Sequence, residues 1–483
     1  MEKEILRKTK IIGTIGPASE SEEKLTELVN LGLNVARINF SHGGYEENES
    51  KIETVKKVRE KLNKPVALML DTKGPEIRTG KLESGDKKVT IKEGQKFTFV
   101  NDDIIGDSTK TTLSYKELYK DVDVGSTILV DDGAVGFVVT EVKGKDIKCK
   151  ALNTAKLGSR KTVNVPGLKL NLPALSEKDT EDIVSGINAG FDLIAASFVR
   201  RASDVQEIRD LLNSNSGNHI KIIAKIESKE GIENFEEILA LSDGIMVARG
   251  DMGVEIPMEE VPIIQKQFIK RCNDEGKPVI IATQMLETMI TNPRPTRAEV
   301  SDVANAVYDR ASSIMLSGEC AVGKYPEECV KTMVKVANTI EGSIKYWKRF
   351  DRKSLELKMD EVDIEGNIAY ATCVMAKNLK AEAIVAYTHK GDSVRKITGF
   401  GSHCPIFAIT DSKSTYYQLA ITWNVIPILV EGRISIEQTI EDGLQILTEK
   451  GLLEKGNMVV LAGGTKVLPH VTKNKAIGGV VKI

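Results

Sequence analysis

Ile220-Lys221-Ile222-Ile223-Ala224-Lys225-Ile226-Glu227-Ser228 is the stretch whose reading decides the fold. Its first seven positions are an almost continuous apolar run, and its end turns abruptly polar. A strand that is apolar on both faces is buried on both faces, which points to a parallel sheet covered by helices. The same texture recurs on either side of it. Asp192 to Phe198, Asp243 to Ala248, Pro278 to Thr283 and Ser312 to Ser317 are short apolar runs, as are Ile11 to Gly16, Asn34 to Phe40 and Pro65 to Asp71. Helical segments separate the eight runs. Ser19 with Glu22 and Thr296 with Glu299 have capping-box spacing, Val300, Val303, Ala304 and Val307 recur at helical spacing, and Pro326 suits a first helical turn. Eight strand–helix units over roughly 250 residues suit a (β/α)8 TIM barrel. An open doubly wound sheet is the alternative that counting leaves standing.

The remainder of the 483 residues divides around this repeat. Between about Lys73 and Leu170 the pattern changes to strand alternation, with Val89 and Ile91, Phe97 and Phe99, and Ile147, Cys149 and Ala151 separated by polar residues. Asp131-Asp132-Gly133 reads as a hairpin turn. This is expected to be a small antiparallel β-domain inserted into one barrel connection. Beyond Trp347 a parallel α/β rhythm returns: Ala383 to Tyr387, Pro405 to Ile409, Val425 to Val430, Met458 to Ala462 and Gly479 to Ile483. The expected divisions are a barrel from 1–72 and 171–345, a β-domain from 73–170, and a C-terminal α/β domain from 346–483.

Composition excludes several classes. Sixty-seven basic against 69 acidic residues leave a net charge of −2, which argues against a nucleic-acid or anionic-membrane coat. Apolar residues at 41% suit a globular chain, and no apolar run approaches the ~20 residues of a bilayer span. The charged start, Met1 to Lys8, is unlike a signal peptide. Six scattered cysteines without a CxxC pair make disulfides and thiolate zinc poor expectations and a reducing, cytoplasmic setting the better one.

Polar residues gather at the strand ends. Arg37, Asn39 and Ser41 alternate with Ile38 and Phe40, as on one face of an extended segment. Asp71 and Thr72 end another strand, and Gly74-Pro75 permits an abrupt departure into the inserted domain. Lys225 and Glu227 share a strand face. Burying a lysine is costly unless an anion pairs with it. Asp251 follows the next strand, so Glu227 and Asp251 suit a shared divalent ion, since Mg2+ takes one or two carboxylates and leaves water and substrate oxygens to complete its shell. Gly250 lets a backbone N–H approach an anion. Thr283 and Ser317 add hydroxyls suited to a carboxylate or a water. His42 reads as a local hydrogen-bonding residue. No GxxxxGK[ST] loop, catalytic triad or histidine cluster is present. These residues suit a phosphorylated or carboxylated substrate on Mg2+ and leave the reaction open.

The ordered segments ARINFSHG (36–43), LDTKGPEIRTG (70–80), AKIES (224–228), ARGDMGVEIP (248–257), ATQMLETM (282–289) and LSGECAVGKYP (316–326) resemble the pyruvate kinase family. The resemblance implies the closed barrel and makes the insertion a mobile β-barrel lid. It implies phosphoryl transfer from phosphoenolpyruvate to ADP, giving pyruvate and ATP, within glycolysis. It implies Mg2+ (or Mn2+) on Glu227 and Asp251, Lys225 and Arg37 on the phosphoryl group, and Gly250, Asp251 and Thr283 around the substrate carboxylate. It also implies K+ on Asn39, Ser41, Asp71 and Thr72, ADP phosphates near Arg78 and Lys156, and a proton relay through water near Thr283 and Ser317. In that family Glu at the position of Glu76 accompanies K+ dependence, and Lys there accompanies its absence. A homotetramer and a phosphorylated allosteric effector are implied as well. The effector loop, Thr388-His389-Lys390-Gly391-Asp392-Ser393, departs from the family pattern through Asp392, though Thr388, Lys390 and Ser393 suit a phosphate; the stretch from Gly463 to Lys475 lacks the usual Gly-rich pattern. Two other readings share the scaffold: a Mg2+-dependent pyruvate-enolate lyase or aldolase, and a non-catalytic metabolite sensor.

Overall fold

The computed structural model describes residues 6–85, 87–356, 364–432, 435–465 and 475–483. The eight strands form a closed parallel barrel: β1 (Lys10–Thr14), β2 (Val35–Asn39), β3 (Ala67–Asp71), β4 (Leu193–Ala196), β5 (Lys221–Ile226), β6 (Gly244–Ala248), β7 (Val279–Ala282) and β8 (Ser313–Leu316). Each pairs with its sequence neighbours, and β8 pairs back onto β1. The open-sheet alternative is thereby excluded.

Strand parity explains where the polar residues go. Ile12, Val35, Met69, Ala195, Ile223, Met246, Ile280 and Met315 fill the barrel interior. Their neighbours, such as Ile11, Ala36, Leu70, Ile194 and Ala224, pack outward beneath the helices. Two residues further along the inner row lie Arg37, Asp71, Ser197, Lys225 and Ser317, so the row that is apolar in the barrel's middle becomes polar at its C-terminal mouth.

The inserted segment is a curled seven-stranded sheet around Phe97, Phe99, Phe137 and aliphatic neighbours. Asp131, Asp132 and Gly133 make the expected hairpin tip with φ of 57°, 54° and 84°. The sheet's two edges meet at a Thr79–Leu113 bridge, where Gly80 N donates to Thr112 O and Ser114 N to Arg78 O, each at 2.9 Å. One pair, Lys96–Val100 with Lys110–Thr112, is parallel, so the sheet is not wholly antiparallel. The C-terminal sheet contains β9 (Ala383–Tyr387), β10 (Ile406–Thr410), β11 (Val425–Leu429), β12 (Met458–Thr465) and β13 (Lys475–Lys482) in the order β11-β10-β9-β12-β13. Four run parallel. β13 instead returns antiparallel on β12, which departs from the all-parallel expectation.

Two local readings change. Ser21, not Ser19, caps the helix Glu22–Leu31 by accepting from Lys24 N, and Ser19 closes the preceding turn by accepting from Gly16 N. The extended segment at Arg37 ends at Asn39. Phe40–His42 is a 3-10 turn in which Ser41 N donates to Asn39 Oδ1 at 3.1 Å, so Ser41 leaves the strand face it was expected to share. Among the described residues no helix is long and apolar enough to cross a membrane.

The C-terminal domain seals the barrel floor. Ala420 and Ile421 join the interior cluster directly, and Ser313 Oγ donates to Ile421 O at 3.1 Å. Gln418 Nε2 reaches the carbonyls of Asp192 and His219 at 3.3 and 2.7 Å. Ile421→Ala should lower stability by about 2–5 kcal/mol through an unfilled cavity at the floor. Denaturant unfolding of the full chain checks this; an unchanged midpoint would show that the floor does not depend on the plug.

Candidate active site

Asp71 ends β3 on the inner row and is 1% exposed. Arg37, two positions from the end of β2, donates from Nε to Asp71 Oδ2 at 2.6 Å and from Nη1 to Thr14 Oγ1 at 2.8 Å. Lys225, near the end of β5, reaches Asp71 Oδ1 at 3.0 Å, Ser197 Oγ at 2.7 Å and Glu227 Oε1 at 3.1 Å. Burial alone would raise the Asp71 pKa, but Arg37 and Lys225 outweigh it and hold the carboxyl below its usual range. Burial likewise opposes the charge of Lys225, yet Asp71 and Glu227 drive its pKa above the ordinary lysine value. The lysine therefore stays charged in a nearly dry site.

Glu227 is 2% exposed and accepts from the Phe198 backbone N–H at 2.5 Å. Phe198 has φ of 55°, a left-handed conformation uncommon for a non-glycine residue, and it aims that N–H at the carboxylate. Burial first, against the pull of Lys225, and then repulsion from Asp251 push Glu227 up to about 7. Asp251, in the first turn of the helix Arg249–Glu255, is raised by burial and, against Lys225, by Asp132 and Glu76 from the lid. Two carboxylates thus crowd one lysine at the mouth. Such a pair suits a hard divalent cation, which would relieve the repulsion and leave room for water and substrate oxygens. Among the described residues no group of three or more His, Cys, Asp and Glu forms a metal cage.

The loops after β7 and β8 are also constrained. Thr283 and Gln284 have φ of 69° and 53°. Arg249 holds this turn by donating to Thr283 O at 2.7 Å and Ala282 O at 3.2 Å, while Asp302 pairs with its other nitrogen at 2.7 Å. Thr283 Oγ1 accepts from Gly250 N at 2.8 Å, so the glycine amide expected to face an anion is here held by the threonine hydroxyl. Glu319, fully buried, accepts from Leu286 N at 3.0 Å and Ser317 N at 2.7 Å, tying the two loops together.

Asn39 lies opposite Asp71 in the β2–β3 register, and Thr72 Oγ1 accepts from Ser197 N at 3.0 Å. The oxygen groups Asn39, Asp71 and Thr72 are therefore neighbours, with Ser41 one turn beyond Asn39. Arg78, on the lid's first strand, is paired with Glu76 at 2.7 Å and donates to Arg160 O at 3.0 Å. Lys156 stands exposed on a two-stranded ribbon of the lid, where its strand pairs with Val89–Ile91. Both chain crossings into the lid are anchored: Gly74 N donates to Asp179 Oδ1 at 3.0 Å, and Arg200 donates to the carbonyls of Leu170, Leu172 and Pro173 at 2.7–3.2 Å.

Ser197, Phe198, Arg249 and Glu319 were not singled out in the sequence. Ser197 and Phe198 end a run that reads as apolar, and parity with Ala195 is the one signal that places Ser197 inside. Nothing in one dimension shows that Glu319 binds backbone rather than solvent.

At pH values where it is ionised, Glu227 is a buried charge crowded by Asp251, so its raised pKa has a stability consequence. Between about 4.5 and 7 the folded chain holds a proton that the unfolded chain releases, so folding stability should fall as pH rises through this window. In the metal-free chain the loss should be on the order of 2 kcal/mol, and Glu227→Gln should flatten it. Thermal unfolding at pH 5 and pH 8 measures the difference; equal slopes in both proteins would contradict the assigned strain.

Known proteins resemble the chain over nearly its whole length. The family model "Pyruvate kinase, barrel domain" matches residues 6–330, and "Pyruvate kinase, alpha/beta domain" matches residues 366–476. The chain is 48% identical over 470 residues to a pyruvate kinase of Clostridium acetobutylicum, covering 97% of this chain and 98% of that one. It is 47% identical over 472 residues to a pyruvate kinase of Staphylococcus epidermidis, covering 97% of this chain and 80% of that one. A crystal structure of a pyruvate kinase from Cryptosporidium parvum superposes with a TM-score of 0.92 at 38% identity, over 99% of this chain and 96% of that one. From the closed barrel with its inserted sheet, the C-terminal α/β domain and these matches, the chain belongs to the pyruvate kinase family of phosphotransferases.

Proposed function

We propose that this chain transfers the phosphoryl group of phosphoenolpyruvate to ADP, giving pyruvate and ATP, and that its glycolytic substrates meet at the barrel mouth. The observation that carries the reading is the buried Asp71–Lys225–Glu227 chain, with Arg37 on its far side. Phosphoryl transfer asks mainly for alignment and charge neutralisation. Lys225 and Arg37 supply two fixed positive charges that need no reorganisation when charge moves during transfer. Glu227 and Asp251 would hold Mg2+ (or Mn2+), which when bound supplies further charge neutralisation on the phosphoryl and enolate oxygens. Gly250, Asp251 and Thr283 would bracket the substrate carboxylate. That role requires the Gly250–Thr283 hydrogen bond to open or be shared. Ser317 would help carry a proton to the enolate carbon, a role that its place on the inner row at the barrel mouth supports. Arg78 would meet ADP phosphates from the lid, while Lys156 has the weaker geometric support.

The deciding experiment is a coupled assay for pyruvate and ATP in phosphoenolpyruvate, ADP, Mg2+ and K+. Turnover should be present in the native chain. Lys225→Met should reduce it by about 100-fold or more, the scale of one lost preorganised charge at about 3 kcal/mol. No turnover in the native chain would defeat the reading, and near-native turnover in the variant would defeat the role of Lys225.

Asn39, Ser41, Asp71 and Thr72 would hold K+, an assignment that their oxygen-only chemistry supports. Glu76 lies near enough to Asp251 to raise its pKa and is paired with Arg78, so it faces the mouth. Rates in K+ should exceed those in tetramethylammonium at equal ionic strength, and Glu76→Lys should shrink the difference. Equal native rates in both salts would remove K+ from the account.

The C-terminal loop supports effector binding less strongly. Asp392 pairs with Arg395 at 2.6 Å, Arg395 also donates to Lys390 O at 2.8 Å, and Thr388 Oγ1 accepts from Gly391 N at 2.9 Å. Most of the other candidate loop, after Thr465, lies outside the described residues. We keep a phosphorylated effector on Thr388, Lys390 and Ser393: fructose 1,6-bisphosphate, AMP or a sugar monophosphate should activate the native chain. Activation unaltered in Lys390→Ala with Ser393→Ala would move the site elsewhere. Family membership and the exposed Leu355 and Ile364 support a homotetramer, which a monomeric sedimentation profile would oppose. A cytoplasmic setting is proposed from the six buried, unpaired cysteines.

A further inference from the structure

A second concave site lies at the seam between the barrel and the C-terminal domain. It is a groove of about 700 Å3 between the barrel helix Val261–Glu275, the segment Tyr308–Arg310 and the helix Tyr346–Glu356. That volume is of small-molecule size. Eight basic side chains line it against three acidic ones, in a chain whose overall charge is −2.

The positive charge is unevenly spent. Lys270 and Lys353 both pair with Asp274, at 2.7 and 2.8 Å, and Lys266 pairs with Asp309. Arg349 donates to Tyr308 O at 2.6 Å and stacks over the Tyr308 ring at 4.1 Å. Arg310 donates to Thr398 O at 2.7 Å and lies over the Trp423 ring at 4.7 Å, but its buried Nε has no acceptor among the described residues. Lys345, Lys348 and Arg352 are exposed and have no acidic partner among the described residues. Lys345 immediately precedes the helix Tyr346–Glu356, and Lys348 and Arg352, four apart, share one face of it. Three uncompensated cations on one wall of a groove repel one another, and an anion bridging them relieves that repulsion.

We propose that this groove is a binding site for a small phosphorylated polyanion, distinct from the barrel mouth and from the loop at Lys390. The bound phosphates lie along Lys345, Lys348 and Arg352. The ligand bridges the two domains, because the opposite wall belongs to the barrel. Arg310 Nη2 already crosses the seam to the Thr398 carbonyl in the helix Asp392–Gly399, and Lys353 Nζ crosses it to Asp274 Oδ1. An occupant therefore tightens a contact that the apo chain already makes.

The test is calorimetric titration of the full chain with inorganic pyrophosphate in Mg2+-free buffer. Lys348→Glu with Arg352→Glu, both at exposed positions, should weaken one binding event at least ten-fold while leaving the unfolding temperature unchanged. That event should weaken with added salt, as expected for exposed charges. It should survive both Lys225→Met and the Lys390→Ala, Ser393→Ala pair, which separates it from the other two phosphate sites. Binding unchanged by the charge reversals would overturn the proposal, as would a native titration whose entire signal is lost in Lys225→Met or in the Lys390 variant.

Discussion

The Asp71 carboxylate faces the inside of the barrel with almost no access to water, so its charge has to be answered by protein. Arg37 answers it from β2, Lys225 from β5, and the Ser197 hydroxyl from the loop after β4. An unpaired charge at such a position costs several kcal/mol, and that cost fixes the geometry of the whole mouth. With Asp71 engaged on both oxygens, Lys225 reaches Glu227 as well, and Glu227 is pinned from its other side by Phe198 N. Three strands and one strained loop are thus held in register by a single chain of charges. Replacing this chain with apolar residues would be tolerable for stability alone, so its presence points to chemistry at the mouth.

The same barrel shows what happens away from the mouth. Towards the floor the inner row is Ile, Val, Met and Ala, closed from below by Ala420 and Ile421. The apolar floor gives the site a rigid base and a low dielectric, which strengthens every electrostatic interaction above it. From the other side the lid brings Glu76 and Asp132 close enough to raise the pKa of Asp251. The lid therefore contributes negative charge as well as Arg78, and a divalent cation between the two carboxylates would meet a field already set for it. The charged seam near Arg310 belongs to a different part of the molecule, where Lys345, Lys348 and Arg352 have no acidic partner among the described residues.

Much of this could be read from one dimension because strand periodicity carries it. Residues two apart share a face, so Lys225 and Glu227, or Arg37 and Asn39, needed no three-dimensional information. The reading failed where the period breaks. Ser41 was placed on the strand face, but Asn39 Oδ1 captures its N–H and turns the chain into a 3-10 turn. β13 was grouped with the parallel strands, yet it pairs antiparallel, since strand direction depends on a connection and not on composition. Ser197, Phe198 and Glu319 act through backbone groups or through a neighbour's charge. Such partners are set by topology and leave no local pattern. The hydrogen bond from Gly250 to Thr283 is of the same kind: each residue was legible, and their pairing was not.

The central claim is that Asp71 assembles Arg37 and Lys225 into one unit. A double-mutant cycle on kcat/KM for phosphoenolpyruvate tests it, comparing Asp71→Asn, Lys225→Met and the combined variant in folded protein. If the unit is real, Asp71→Asn alone should lose most of the rate that Lys225→Met loses, and combining them should add little. Losses that multiply fully would contradict it, because they would show that Lys225 keeps its position and its charge without Asp71.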